Sequence, residues 1–132
     1  MDKKAEKLKY KASRQPMGVF LIRNLVNQKV FVGSSMNLDA MFNRIRFQLY
    51  GGAHPNKPLE ADWKQYGTGK FEFEVLEELF HRDDPNYNYS ADLETLEDLW
   101  LEKLEPYGDK GYNEPKKSRE ERLRMISTNR KL

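Results

Sequence analysis

The stretch from Met17 to Arg23 is almost continuously apolar and rich in β-formers, a pattern that reads as a strand buried on both faces. A turn at Asn24 to Gln28 leads into Lys29 to Gly33, so the two segments make a hairpin. Ser34, Ser35 and Asn37 then offer helix N-caps, and Leu38, Met41, Phe42, Ile45 and Leu49 recur at helical spacing up to a stop at Gly51-Gly52. A second helix is expected from Asn56 to Tyr66, with Leu59 and Trp63 on one face and Gly67 as its C-terminal stop. Phe71, Phe73 and Val75 alternate with Glu72, Glu74 and Leu76, as in a strand with one more polar face. After a polar, turn-rich loop at Asp83 to Tyr89, Ser90 can cap a third helix that runs to about Leu104 and is closed by Pro106-Tyr107-Gly108. The order β, β, α, α, β, α predicts an α+β domain: a small three-stranded, largely antiparallel sheet flanked by helices.

A chain of 132 residues with 38% apolar content supports one domain with a modest core. It has no cysteine, which excludes disulfides and thiolate metal sites. Residues Met1 to Arg14 are charged where a signal peptide needs an apolar stretch, and no run approaches the roughly 18 apolar residues of a membrane span. A soluble, cytoplasmic protein without a membrane partner is expected. Charge divides the chain into a basic arm at 1–16, a domain at 17–113 and a basic helix or tail at 114–132. The first holds six Lys/Arg against two Asp/Glu, the last seven against three, and the middle ten against sixteen. Ser118 and Glu121 have capping-box spacing, so Arg119 to Ser127 is expected to form a last helix. The arms are either phosphate-contacting segments or solvated ends, because an acidic domain repels a nucleic-acid backbone unless its charges segregate by face.

The third helix carries a carboxylate in the wrong place. At about 100° per residue, Leu93, Leu96, Trp100, Leu101 and Leu104 share an arc of roughly 140°, and Glu97 falls inside it. Glu94, Asp98 and Glu102 lie outside, as solvated side chains should. A carboxylate facing a core costs several kcal/mol unless paired, hydrogen-bonded or metal-bound. Glu97 therefore either pairs with Arg44 or Arg46 or sits at the core rim, or it is a single carboxylate ligand for Mg²⁺ or Mn²⁺, whose shells are completed by water and phosphate.

Gly18-Val19-Phe20 and Phe31-Val32-Gly33 on the hairpin resemble the two half-motifs of the GIY-YIG nuclease family. The resemblance extends in order through Ser34 to Leu38, Asn56-Lys57, Trp63, Tyr66-Gly67, Phe71 to Glu77, Leu96 to Leu101 and Gly111-Tyr112-Asn113, about residues 17 to 113. It implies a metal-dependent endonuclease fold acting on DNA with one Mg²⁺ or Mn²⁺. Carried over by position, the family's two tyrosines fall on Phe20 and Phe31, its helix arginine on Met41, the histidine one turn further on Ile45, and its metal-binding glutamate on Glu97. Phenylalanine cannot pass a proton, a function worth about two to four orders of magnitude. Met41 cannot offset phosphoryl charge, where one lost donor costs about 3 kcal/mol.

Arg44, about 60° round the helix from Met41, is the candidate substitute. Tyr50, Tyr66, Tyr112 and His54 are candidate sources of a hydroxyl or imidazole, with ordinary structural readings for Tyr66 before a helix stop and His54 in an exposed Gly/Pro loop. Arg23, Arg44, Arg46 and Lys57 are the candidate nucleic-acid contacts on the domain. Phe20 and Phe31 are expected to be neighbours whose rings border the same pocket as Glu97. Three functions follow as expectations: an endonuclease with a modified site, a catalytically inactive nuclease-derived nucleic-acid-binding or regulatory module, and a protein-interaction role suited to the acidic middle.

Overall fold

A computed structural model describes residues 14–116 and Arg124; the basic arm before Arg14 and the expected helix at 119–127 lie outside the described residues, Arg124 apart. Strand β1 (Gly18–Asn24) is the centre of a three-stranded antiparallel sheet in the order β2-β1-β3, with β2 at Val30–Ser35 and β3 at Phe71–Glu78. Helices α1 (Leu38–Gly51) and α2 (Lys57–Tyr66) precede β3, and α3 (Ser90–Leu104) follows it. The α+β architecture expected from the pattern is the one observed.

The unbroken apolar run of β1 has its cause in two cores. Phe20 and Ile22 face α1 and α2, where they meet Leu38, Ile45, Leu49, Leu59 and Trp63. Val19 and Leu21 face α3 and meet Leu96 and Leu101. Alternate residues of a strand point to opposite faces, so a central strand covered on both sides must be apolar throughout.

Local signals set the element ends. The Asn37 side chain accepts from the Ala40 N–H at 3.1 Å to start α1, and Gly52, in the left-handed region at φ 70°, ends it. The Asn56 side chain accepts from the Leu59 N–H at 3.0 Å to start α2. The start of α3 differs from expectation: Ser90 is its first residue and not its cap, and the Asn88 side chain accepts the Ser90 N–H at 2.9 Å. The polar loop before it is exposed from Asp83 to Asn86, but Tyr89 at its end is buried against Met17 and Leu93.

The edge of β2 is closed by the segment after α3. Gly111 bridges Val30, the Tyr112 N–H donates to the Val30 carbonyl at 2.9 Å, and the Asn113 side chain accepts from the Val32 N–H and donates to the Val32 carbonyl, both at 2.8 Å. Asn56 donates to the Tyr112 carbonyl at 2.7 Å, tying the start of α2 to the same segment. The Tyr112 hydroxyl donates to Asp62 at 2.6 Å and accepts from the fully buried Asn24 at 3.0 Å. Burial, followed by the hydrogen bond to Asp62, pushes this phenol up to about 12.

Two outcomes test this packing. Tyr112→Phe should destabilise the fold by about 1–3 kcal/mol at neutral pH by orphaning the buried Asn24 amide. Because the folded phenol titrates at about 12, that contribution is whole below the ordinary tyrosine value of about 10 and is lost as pH climbs through the folded value. Urea unfolding should show the gap between wild type and variant closing over that window; a gap independent of pH contradicts it. A Cβ built on Gly33 would lie 2.7 Å from the Phe20 ring. Gly33→Ala should therefore cost about 1–3 kcal/mol, and much less in a Phe20→Ala background, as a double-mutant cycle would read out.

Candidate functional site

The hairpin register places Phe20 opposite Gly33 and Phe31 opposite Ile22, so both phenylalanines share the sheet face that α1 and α2 cover. Their ring centroids are 6.4 Å apart. Gly33 is required here because the Phe20 ring lies where its side chain would be. The two rings form part of a cleft of about 740 Å³ at the β2 edge, which Met41, Ile45 and Arg44 of α1 and Glu97 of α3 also line. Helix α3 packs on the opposite sheet face, and Glu97 meets the cleft at the edge strand. The sequence positions singled out as Phe20, Phe31, Met41, Arg44 and Glu97 thus converge on one place.

Glu97 sits at the rim of the α3 core with a side chain 21% exposed. Its ionic partner is neither Arg44 nor Arg46. Lys116, beyond Asn113, approaches its Oε2 at 3.4 Å and Asp98 at 2.5 Å. Burial pulls the Lys116 ammonium down, but the hydrogen bond to Asp98 and the field of both carboxylates outweigh this and hold its pKa above the ordinary lysine value. Glu114 is a second carboxylate lining the cleft. Among the described residues no three His, Cys, Asp or Glu side chains form a cluster able to hold a metal ion. This donor set suits only a hard cation that takes one or two carboxylates and fills its shell with water and phosphate oxygens.

His54 departs from the loop reading, for it is buried at 4% exposure while lining the cleft. Its ring stands edge-on to Phe31, with centroids 5.8 Å apart. The loop is held by Glu60, whose Oε2 accepts the His54 N–H at 3.1 Å while Lys57 and Lys64 flank the same carboxylate. His54 Nδ1 accepts the Asn56 N–H at 3.0 Å. That bond fixes the neutral tautomer with its proton on Nε2. Desolvation by burial lowers the imidazole pKa below its ordinary value despite the opposing pull of the Glu60 carboxylate. The neutral ring is thus a hydrogen-bond donor at pH 7. The sequence around Asn56 carries no local sign that Glu60 captures the His54 N–H and holds the residue buried.

The remaining candidates separate. Arg44 is exposed and has no carboxylate in ion-pair range among the described residues. Lys57 also lines the cleft, bonded to Glu60 at 3.4 Å. Arg23 instead pairs with Glu74 at 3.2 Å, and Arg46 lies 4.2 Å over the Phe73 ring, so neither lines the cleft. Tyr50 packs on Trp63 and Tyr66 on the α1–α2 core, both away from the cleft. The Tyr112 hydroxyl is committed to Asp62 and Asn24. Charge segregates by layer: Glu72, Glu74, Glu77 and Glu78 lie on β3 and Glu94, Asp98 and Glu102 on α3, whereas the α1–α2 layer sets Arg44, Arg46, Lys57 and Lys64 against Asp39, Glu60 and Asp62.

No family profile matches the chain. Over 67 residues it is 31% identical to intron-associated endonuclease 1 of Enterobacteria phage T4, a stretch covering 51% of this chain and 27% of that protein. The chain therefore spans little more than a quarter of the length of this relative. The catalytic domain of homing endonuclease I-TevI superimposes with a TM-score of 0.63 at 26% identity, over 76% of this chain and 99% of that domain. A substituted form of the same catalytic domain gives 0.64 at 26% identity, covering 79% and 98%. With its half-motif hairpin, the glutamate of α3 and the Gly-Tyr-Asn segment closing β2, the chain shares the fold of that catalytic domain, in line with its resemblance to the GIY-YIG nuclease family.

Proposed function

We propose that the domain is a DNA endonuclease in which the cleft at the β2 edge binds the phosphodiester backbone and hydrolyses it with one divalent cation, Mg²⁺ or Mn²⁺, held by Glu97. The observation that carries this reading is the convergence of Glu97, Arg44, His54 and Lys57 on one cleft. When bound, the ion supplies Lewis-acid polarisation of the phosphoryl group and offsets charge on the leaving oxygen.

The chain's own groups have complementary tasks. Arg44, unpaired among the described residues, offsets negative charge on the non-bridging oxygens in place of the arginine that Met41 replaces. Neutral His54 donates a hydrogen bond from Nε2 to a non-bridging phosphate oxygen, since Nδ1 is already an acceptor, and the departing oxygen takes its proton from solvent. Lys57 contacts a neighbouring phosphate. Phe20 and Phe31 keep the floor of the cleft dry and rigid, but they move no proton, so the attacking water loses its proton to solvent or substrate phosphate. The acidic β3 and α3 layers direct the backbone to the α1 side.

A second reading, a binding module that does not cut, is favoured by the absence of any proton-transfer atom on Phe20 and Phe31 and by the ammonium of Lys116 on Glu97. A cleavage assay with Mn²⁺ on branched, nicked and single-stranded DNA separates the two. The endonuclease reading expects metal-dependent cleavage that Glu97→Ala lowers by about a hundredfold or more and Arg44→Ala by a comparable factor. Restoring the family groups with Phe20→Tyr, Phe31→Tyr and Met41→Arg together should raise the rate. Salt-sensitive binding without cleavage, unchanged in a folded triple variant, would establish the second reading instead.

A further inference from the structure

Helix α1 carries an uncovered aromatic ring one turn after Arg44 of the cleft. Phe47 is 80% exposed and has no ring partner among the described residues, unlike Tyr50, which stands edge-on to Trp63 at 5.6 Å. A phenylalanine left in water forgoes about 1.5–3 kcal/mol of burial. Phe47 is three residues after Arg44, about 60° round the helix, so their Cβ atoms are neighbours roughly 5–6 Å apart. Gln48, the next residue, lines the cleft with Arg44.

An exposed ring flanked by arginine, on the layer with the fewest acids, suits a partner that presents an anionic group and a flat apolar face close together. A nucleotide does both. Stacking on an aromatic side chain is sequence-tolerant because every base has a π-face. In an intact duplex, however, each base face is already covered by its neighbours, so a ring one turn from the phosphate site can stack only on a base freed from pairing. We propose that Phe47 is the stacking platform for an unpaired base adjoining the phosphodiester in the cleft, which makes the substrate class DNA with an unpaired nucleotide: a bulge, flap or single-stranded junction. The proposal rests on the reading of the cleft as a nucleic-acid site.

The test is binding of the full chain, in EDTA, to a duplex with a short bulge carrying 2-aminopurine and to the same duplex fully paired. Wild type should prefer the bulged duplex by about tenfold and alter the 2-aminopurine fluorescence. Phe47→Ala should remove both effects while leaving affinity for the paired duplex and its salt slope unchanged, and Phe47→Trp should keep both. The ring is exposed, so thermal unfolding of the variants should match wild type. Equal wild-type affinity for the two duplexes, a preference that survives Phe47→Ala, or full restoration by Phe47→Leu would each overturn the stacking role while leaving the cleft reading intact. Wild-type self-association abolished by Phe47→Ala with no change in DNA binding would assign the ring to a second copy, also overturning it. Binding to neither duplex would overturn the cleft reading together with this proposal.

Discussion

The seam between Asn113 and the outer edge of β2 is the contact on which the rest of the site depends. A single amide side chain takes both the N–H and the carbonyl of Val32, and Tyr112 takes the carbonyl of Val30. An edge strand with open ladder groups is a template for unwanted pairing, and one side-chain amide plus one backbone bond covers it here without a fourth strand. The same seam sets the wall of the cleft. It fixes the chain direction that brings Glu114 and Lys116 past Glu97, and through Asn56 it anchors the loop that buries His54. Gly111 permits the approach, since a Cβ there would meet the Pro106 and Val30 carbonyl oxygens at 2.5 Å.

This arrangement separates what the family positions do for the fold from what they do for chemistry. Phe20 lies in the α1–α2 core with Phe42 edge-on at 5.5 Å, so its ring has a structural task that a hydroxyl would not change. Gly33 remains glycine because that ring covers it. Met41 packs against the same core, where a buried guanidinium would need its own partners. Glu97 differs from these three. It has no packing reason to be a carboxylate, and its presence at the cleft is the strongest link between this fold and hydrolysis.

The sequence made the architecture legible wherever periodicity or capping chemistry is strong. Gly18 to Asn24 announced itself by length and β-branching, α1 by Asn37 and Gly52, and α3 by the leucine stripe that Glu97 interrupts. Legibility ended where a side chain's role depends on a partner distant in the chain. Nothing near His54 reveals that Glu60 captures its N–H, so the residue looked as solvent-exposed as its Gly/Pro neighbours when it is buried. Arg23 and Arg46 looked as available as Arg44, but the first faces Glu74 across the sheet and the second lies on Phe73. The choice of Lys116 over Arg44 as the partner of Glu97 depends on how the chain continues after the β2 seam.

The central claim is that Glu97 makes this cleft a divalent-cation site. Paramagnetic broadening of backbone amide resonances by substoichiometric Mn²⁺ addresses it without reference to turnover. The claim predicts broadening centred on Gly33, Ser34, Glu97 and Asn113, removed by Glu97→Ala and strengthened by Lys116→Ala, which frees the carboxylate from its ammonium. Broadening centred on the glutamates of β3, or an unchanged pattern in Glu97→Ala, would contradict it.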